Sequence, residues 1–294
     1  MKKEIFCIII FLTLICGISH VHSQSRIIPK VLAFYCAKND LAHISYAEET
    51  NKYFTSLAQT KKLEYTSTDN WSKMRLDTLS KYDVVLFLDT RAEKPEQRDA
   101  FQKYMEQGGG WIGFHFAAFS LHESSYDNNW SWYHDTFLGS GEYKSNTWRP
   151  TSALLKRITK NKFTGSGSLL HAPPNEWYAW KSDLTKNKDI QILYAIDEKS
   201  FPLGTGPKKY EIWSHGFYPI IWSNTKYNMI YSNIGHNDMD YEHVYDKNQI
   251  KTLSSTFASK NYADFINHAM YYLAEQKRER FKTKVKHKRI KNKE

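Results

Sequence analysis

Short apolar runs alternate with amphipathic segments through the first half of the chain. The runs predict four strands, at residues 31–36, 63–66, 83–88 and 111–115. Residues 44–59 and 95–107 carry their apolar side chains at helical spacing and predict two helices between these strands. Continuous apolar strands that alternate with helices are typical of a parallel sheet covered on both faces. We therefore predict an α/β fold with a doubly wound, mostly parallel sheet of the flavodoxin-like kind.

The pattern changes after residue 130. Seven of the nine tryptophans lie at or beyond this point, among polar and proline-bearing loops. Short apolar runs at residues 191–196, 218–222 and 229–234 predict further strands, and residues 262–275 predict a closing helix with one apolar side. We interpret this half as late strands of the same sheet with aromatic-rich loop insertions, so that residues 24–275 form a single domain.

The N-terminus has the pattern of a secretory signal. Lys2 and Lys3 precede an uncharged apolar run at residues 5–15, and small residues stand before a cleavage site at about Gln24. The run is too short for a comfortable transmembrane span. We therefore predict a signal peptide at residues 1–23, a periplasmic or secreted mature protein and no stable membrane insertion. A lipoprotein attached through Cys16 is less favoured, because Ile15 before it is bulky.

The net charge of +10 is concentrated at the C-terminal end of the chain. Residues 276–294 hold ten Lys or Arg side chains against two Glu, which accounts for +8, and the predicted signal accounts for a further +1. The body of the chain therefore carries only +1, which argues against a nucleic-acid partner. We predict that residues 276–294 form a basic, disordered tail, for which an anionic membrane surface or a glycan is the favoured contact.

Polar side chains follow several of the predicted strands. In an open parallel sheet, ligands bind beyond the carboxyl ends of the strands, where the strand order reverses. This edge collects Asp40 and His43 after the first strand, Asp89 after the third, His115 after the fourth and His236 after a late one. Imidazole serves as a general acid or base near neutral pH, or it binds a divalent metal. The residues alone leave both uses open.

The segment from Gly113 to Ala117 has the outline of a strand-to-helix elbow, with His115 where a nucleophile would stand. Imidazole does not replace serine or cysteine in the usual attack on an acyl group. The three-glycine turn at residues 108–110 lacks the spacing of a phosphate-binding loop and predicts instead a helix end followed by a tightly packed strand. The elbow therefore predicts the place of a site rather than a reaction.

Six motifs stand in the order found in one known family. They are YDVVLFL at residues 82–88, GGGWIGFH at 108–115, WSWY at 130–133, EWY at 176–178, PIIW at 219–222 and IGH at 234–236. On these motifs the chain resembles the ThuA (trehalose utilisation) family from about residue 30 to residue 273. The resemblance implies a class I glutamine amidotransferase-like fold without the amidotransferase cysteine. It also implies a link to the metabolism of trehalose, other disaccharides or keto-sugars.

The resemblance assigns roles to particular histidines. His115 matches the family histidine that stands where amidotransferase relatives hold cysteine, and His236 matches the one near their catalytic histidine. His43 resembles the histidine after the first strand, although its local sequence, DLAH, departs from the family's usual context. His215 ranks lower, because it stands four residues ahead of Pro219. We predict that His115 and His236 are catalytic, and that His43, His115 and His236 are the ligands of any zinc-like divalent metal.

Carboxylates and aromatic rings complete the predicted site. Glu176 is the leading candidate for acid/base catalysis, with Asp89 next, and a salt bridge is the alternative role of each. A sugar offers an apolar face to aromatic rings and hydroxyls to polar groups. We therefore predict substrate contacts from one set of residues, Trp132, Tyr133, Trp177, Tyr178, Trp222 and Asp89. The alternative for each ring is packing inside the inserted loops.

Two functional hypotheses follow. The first is an exported enzyme, a hydrolase, lyase or isomerase, that processes a small sugar or glycoside through His115, His236 and Glu176. The second is a non-catalytic carbohydrate-binding or scaffold protein with a degenerate amidotransferase-like cleft. Amidotransferase activity itself is disfavoured, because Cys36 is the one thiol that remains after the signal and it follows the first strand rather than the elbow.

Overall fold

A computed structural model describes residues 27–36, 40–121, 130–147, 150–164, 167–201, 213–236 and 254–291, with side chains as far as residue 283 in the last segment. The predicted signal peptide lies outside these ranges. The strands are β1 (Lys30–Tyr35), β2 (Glu64–Thr68), β3 (Val84–Leu88), β4 (Gly110–Phe114), β5 (Tyr143–Asn146), β6 (Thr151–Arg157), β7 (Leu169–Asn175), β8 (Tyr178–Trp180), β9 (Ile190–Ile196), β10 (Pro219–Asn224) and β11 (Met229–Ser232). The α-helices are α1 (Leu41–Gln59), α2 (Leu76–Leu79), α3 (Pro95–Glu106) and α4 (Lys260–Lys291).

One large sheet organises the described part of the chain. Its nine strands lie in the order β2-β1-β3-β4-β11-β10-β9-β6-β7, and β5 and β8 form a separate pair. The first five strands pair in parallel, in the strand order of flavodoxin-like folds. Beyond them the pairing is antiparallel, so that β10 and β6 run against the other seven strands. The predicted α/β class and mostly parallel sheet are confirmed.

The sheet is buried on both faces. Every residue of β3 and β4 is buried, because helices cover each side of these strands. On one face α1 and α4 contribute Tyr46, Phe54 and Ile266 to a core. On the other, α3 contributes Phe101, which packs edge-on against Trp111 of β4. The short apolar runs of the sequence are therefore central strands between two helical layers.

The late strands belong to this same sheet, as predicted, but two of its strands were not predicted. The missing strands are β6 and β7, which lie at the edge of the sheet beyond β9. β6 alternates buried and half-exposed residues and ends in Lys156 and Arg157. β7 contains Pro173 and Pro174, which lack the N–H that an interior strand needs and are tolerated at a sheet edge. Neither segment has the continuous apolar run of a central strand.

The structure corrects the predicted C-terminal boundary. α4 does not end at residue 275 but continues to Lys291, so the segment predicted as a disordered tail begins as part of this helix. Arg278 ties the extension to the body: its guanidinium lies 2.5 Å from Asp83 Oδ2 and donates to Ile28 O at 2.8 Å. Lys and Arg near a helix C-terminus are also favoured by the helix dipole. None of the described helices is long and apolar enough to cross a membrane.

Candidate functional site

The three predicted histidines converge at the carboxyl ends of the parallel strands. The register pairs Phe87 of β3 with Gly113 of β4, so that Asp89 and His115 follow neighbouring strands at the same level. His236 follows β11, the next strand, and His43 lies in the first turn of α1. The imidazole centroids of His43 and His236 are 4.9 Å apart, those of His115 and His236 5.3 Å, and those of His43 and His115 6.1 Å.

Two residues of this edge have left-handed backbone conformations. His115 has φ +38° and begins a short 3₁₀ helix (His115–Ala118) directly after β4, which is the predicted elbow. Asp89 has φ +55° at the end of β3. Such conformations cost on the order of 1–3 kcal/mol each and are concentrated at functional sites. Hydrogen bonds hold both: Tyr231 Oη donates to His115 O at 2.8 Å, and Phe116 N donates to Asp89 Oδ1 at 2.7 Å.

A glycine allows the loop after β11 to approach the elbow. A Cβ atom at Gly235 would lie 2.8 Å from His115 Cβ, closer than real Cβ contacts. Asn175 fixes this loop, because its side-chain oxygen accepts from Gly235 N at 2.9 Å and from His236 N at 3.0 Å. The Asn175 side-chain nitrogen donates in turn to Asn233 O at 2.9 Å. The position of His236 is therefore set by an asparagine about sixty residues earlier in the chain.

His115 and Glu176 form what we call the inner pair. His115 is 0% exposed, and its Nε2 atom lies 3.3 Å from Glu176 Oε2. Its Nδ1 atom lies 3.3 Å from Asn233 O, and its ring lies against Tyr178 with 3.9 Å between centroids. Both ring nitrogens therefore face acceptors of the protein itself. The His115 ring contacts Glu176 directly, and its centroid lies 5.3 Å from that of His236.

Glu176 is a buried carboxylate between two imidazoles. Its Oε1 atom accepts a hydrogen bond from the Asn146 side chain, and its Oε2 atom faces both His115 and His236. Burial on its own raises the pKa of Glu176, but His236 and His115 outweigh burial and lower the pKa below its ordinary value. Glu176 is therefore ionised at neutral pH and supplies negative charge to the interior of the site.

Asp40, His43 and His236 form what we call the outer group. His236 lies between two carboxylates, with Nδ1 3.8 Å from Glu176 Oε2 and Nε2 3.8 Å from Asp40 Oδ2. Burial on its own lowers the pKa of His236, but Glu176 and Asp40 outweigh burial and raise the pKa to about 9. His236 is therefore protonated at neutral pH, unless a metal ion binds its nitrogen in place of the proton.

The other two members of the outer group lie toward solvent. Asp40 caps α1 by accepting from Ala42 N at 2.8 Å, yet its side chain is 51% exposed. The adjacent imidazole of His236, 3.8 Å away, holds the pKa of Asp40 well below its usual range. His43 Nδ1 donates to Asp89 Oδ2, and His43 Nε2 lies 4.0 Å from Asp40 Oδ2. Burial raises the pKa of Asp89, but the charge and hydrogen bond of His43 outweigh it and lower the pKa.

Two groupings in the described residues are compact enough to hold a metal ion. One is the outer group, and the other is His115, Glu176 and His236, with all ligand atoms in each grouping within 4.8 Å of one another. The predicted set of His43, His115 and His236 is neither of these. His236 belongs to both groupings, although the three imidazole centroids lie within 6.1 Å of one another.

Several aromatic residues predicted to bind sugar are packed in the interior. Trp177, Trp222 and Tyr133 are fully buried. Their polar atoms donate to the backbone: Trp177 Nε1 to Thr151 O at 2.9 Å, Trp222 Nε1 to Leu138 O at 2.8 Å, and Tyr133 Oη to Ala117 O at 2.8 Å. Because protein covers these rings, the predicted stacking role is corrected to core packing at all three positions.

The remaining predicted contacts have mixed positions. Tyr178 lies in the site through its contact with His115, although it is itself buried. Trp132 is half-buried, stacks on Phe137 and donates to Tyr227 Oη at 3.2 Å. Asp89 orients His43 instead of facing open space. The lower-ranked His215 is exposed and contacts Ser214, at 3.0 Å.

Four polar residues were missed as members of the site. Asp40 was noted by position alone, and the asparagines at the centre of the hydrogen-bond network were not identified. Asn175 stands directly before Glu176, and Asn233 directly follows β11, so both occupy strand ends. Asn146 ends β5 and holds Glu176. β5 and β7 were not predicted as strands, so Asn146 and Asn175 gave no signal in the sequence, whereas Asn233 lies near the end of a predicted strand and a search there for amides finds it.

Comparison with known proteins decides the family. A family profile described as ThuA, trehalose utilisation, matches residues 30–252, which include all five residues of the inner pair and the outer group. The chain belongs to the ThuA family. This confirms the resemblance seen in the six sequence motifs. Among curated proteins, none matches the chain.

One solved structure agrees with this membership, and two more distant ones are also similar. A ThuA-like protein from Bacteroides uniformis is 30% identical, with a TM-score of 0.69, over 84% of this chain and 92% of its own. A GMP synthase subunit from Thermoplasma acidophilum is 8% identical, with a TM-score of 0.45, over 86% and 98%. The glutaminase domain of a Trypanosoma brucei CTPS is 8% identical, with a TM-score of 0.43, over 82% and 93%. The membership rests on the family profile and the Bacteroides protein.

Proposed function

We propose that this ThuA-family protein is an exported enzyme of carbohydrate metabolism that acts on trehalose, another disaccharide, a glycoside or a keto-sugar. The family supplies the link to trehalose utilisation. The observation that carries a catalytic role is the position of His236, held between the carboxylates of Glu176 and Asp40 at the ligand-binding edge of the sheet. A histidine that only packs in the core does not need two neighbouring carboxylates, one buried and one exposed to solvent.

The chemistry that we propose is electrophilic activation of a sugar oxygen at His236 Nε2, the ring nitrogen that faces Asp40. Glycosidic cleavage, elimination and isomerisation all place negative charge on such an oxygen, and a positive centre that the protein holds in place stabilises it. The centre is either the proton of His236, whose pKa of about 9 keeps it protonated, or an ion in its place. Glu176 is the counter-charge, and His115 is a positioning residue that holds Glu176.

A sugar panel tests the proposal. Trehalose, maltose, aryl glucosides and their keto derivatives would be incubated with the mature protein, and the products would be followed by mass spectrometry. We expect turnover of at least one of these kinds of sugar, and we expect the His236→Gln variant to lose it. The His215→Gln variant should retain it, because His215 is exposed and belongs to neither the inner pair nor the outer group. Turnover unaffected by His236→Gln would contradict the assigned role.

Export is part of the same proposal. The signal pattern at residues 1–23 supports it, and the near-neutral body of the mature chain favours a small sugar over a nucleic acid as the partner. Expression of the full chain followed by cell fractionation and N-terminal sequencing would check the point. We expect a mature protein that starts at about Gln24 in the periplasm or medium, whereas an uncleaved cytosolic protein would refute export.

The second candidate is a non-catalytic carbohydrate-binding protein. The observation in its favour is the elbow, where His115 replaces the expected thiol and Cys36 lies instead at the end of β1. Calorimetry with the same sugars separates the two candidates. Binding without product formation would favour the binding protein, and product formation would favour the enzyme.

A further inference from the structure

The outer group has the donor atoms of a metal site with an open side. Asp40 Oδ2 lies 3.8 Å from His236 Nε2 and 4.0 Å from His43 Nε2. The exposure of the three side chains rises from His236, which is buried, through His43 to Asp40, which is half-exposed. The group is therefore anchored in the protein at one end and accessible to solvent at the other.

A buried carboxylate lies behind each imidazole of the outer group. His43 Nδ1 donates to Asp89 Oδ2, and His236 Nδ1 lies 3.8 Å from Glu176 Oε2. Metal-binding histidines are nearly always oriented this way, with one ring nitrogen on a carboxylate or carbonyl and the other on the ion. Both Nε2 atoms consequently face the same oxygen of Asp40. Side-chain packing alone does not require a buried carboxylate behind both His43 and His236.

We propose that Asp40, His43 and His236 bind one divalent transition-metal ion of the zinc type. The inference deepens the proposed function, on which it rests for the role of the ion as the positive centre that activates the sugar oxygen. Two imidazoles and one carboxylate form a common ligand set of catalytic zinc, which keeps its remaining position for water or substrate. The same donors also bind other divalent first-row ions. The ligand atoms therefore define the class of ion, and the availability of each metal decides which one is bound.

The two donor separations that involve Asp40 agree with this assignment after a small movement of its side chain, and the imidazole donors lie within 4.8 Å of each other. Ligand atoms on a tetrahedral ion with bonds of about 2.1 Å lie roughly 3.4 Å apart. The observed separations of 3.8 and 4.0 Å must therefore shrink by about half an ångström. Asp40 can supply this movement, because its side chain is half-exposed and reaches the group from the N-cap of α1.

The alternative grouping of His115, Glu176 and His236 fits an ion less well. Glu176 Oε2 lies 3.3 Å from His115 Nε2 already, and Glu176 Oε1 accepts from Asn146. All three side chains are buried, so an ion among them would have no position open to a sugar. The predicted metal role of His115 is thereby reassigned to Asp40.

Titration of the metal-free mature protein with ZnCl₂ by calorimetry, together with elemental analysis, tests the site. We expect one zinc ion per chain. His43→Ala and Asp40→Asn should weaken zinc binding by at least about 100-fold, and Asp89→Asn, which removes the negative charge behind His43, by about 10- to 100-fold. Co²⁺ substitution gives a second readout, since its visible spectrum reports coordination geometry without any turnover.

Two controls make the result decisive. His115→Gln should leave zinc affinity within about threefold, whereas an ion on the inner pair predicts that His115→Gln fails as His43→Ala does. Circular dichroism of each variant identifies any that is unfolded, and Asp40→Asn, at a half-exposed position, is the variant least prone to unfold. Absence of stoichiometric zinc in the folded wild-type protein would overturn the proposal.

The two proposals fail in different ways. Zinc binding at the outer group without turnover of any sugar would contradict the enzymatic function and leave the metal site in place. Turnover that depends on His236 in a folded protein that binds no zinc on titration would support the function and overturn the metal site.

Discussion

The inner pair and the outer group lie side by side at one sheet edge but differ in what surrounds them. His115 is 0% exposed and its ring nitrogens face Glu176 and a backbone carbonyl, whereas the Asp40 side chain is 51% exposed. Only the outer group can meet a ligand directly. This difference supports the proposal that the residue at the nucleophile position of the elbow is a support and that His236 is the reacting imidazole.

Replacement of His236 is expected to have the largest effect. It belongs to the outer group, and among the described residues it is the histidine that lies 3.8 Å from both the Asp40 and the Glu176 carboxylate. Loss of a preorganised positive centre should lower kcat by roughly 10³-fold. Steady-state kinetics of His236→Gln on the accepted sugar checks this, with His215→Gln as the matched exposed control. Equal rates for the two variants would remove the outer group from the chemistry.

The stability of the chelator-treated protein should depend on pH through the same residue. The pKa of His236 is about 9 in the folded state against 6.5 when unfolded, so its stabilising contribution is complete below about pH 6.5 and is lost as pH rises through 9. Each pKa unit corresponds to 1.36 kcal/mol, so the loss is on the order of 3 kcal/mol. The charged or titratable groups around His236 are Asp40, His43, Asp89, His115 and Glu176.

The free energy of unfolding, measured with urea at pH 6 and at pH 9, shows this loss of stability. The difference between the wild-type protein and His236→Gln isolates the contribution of His236 from that of other titrating groups. We expect the stability advantage of the wild type to be present at pH 6 and largely gone at pH 9. An advantage that is the same at both pH values would mean that folding does not shift the pKa of His236.

The inner pair should show a smaller and different effect. His115→Gln retains a side-chain N–H for Glu176 and should reduce kcat by about tenfold, while His115→Ala should reduce it by up to about 100-fold, because outer partners of a working residue cost 10- to 100-fold when removed. KM should change little, since His115 does not meet the sugar. A rise in KM with unchanged kcat would place His115 in direct contact with substrate.

The smallest effect is expected far from the site. Arg278→Leu breaks the ion pair with Asp83 and should destabilise the fold by up to about 1 kcal/mol. Lys282→Leu, at an exposed position of the same helix, is the control that should change nothing. Thermal unfolding of both variants checks whether the helical extension contributes to the domain. Sugar turnover should be the same in both.

The sequence predicted those parts of the fold whose burial leaves a continuous apolar signature. β3 and β4 are buried on both sides and read directly as strands. β6 and β7 escaped prediction because they lie at the edge, with alternating burial in one and two prolines in the other. The extension of α4 escaped because a run of Lys and Arg resembles a solvated tail unless the partner of Arg278 is known.

The site was predictable where chemistry follows a strand directly. His115 and Asp89 stand one residue beyond β4 and β3, and His236 lies just past β11. Asn175 could not be recognised in the same way, because its partner Gly235 is sixty residues distant. Aromatic rings such as Trp177 were misassigned because packing and sugar stacking require the same apolar faces, and sequence does not say which face is covered.

The most direct measurement is a crystal structure of the mature protein soaked with zinc and its accepted sugar, with anomalous data collected at the zinc edge. We expect one anomalous peak bounded by Asp40 Oδ2, His43 Nε2 and His236 Nε2, with a sugar oxygen on the open side and His115 buried behind Glu176. A peak bonded to His115 and Glu176, or a sugar bound away from the outer group, would contradict the assignment of the outer group as the reacting position.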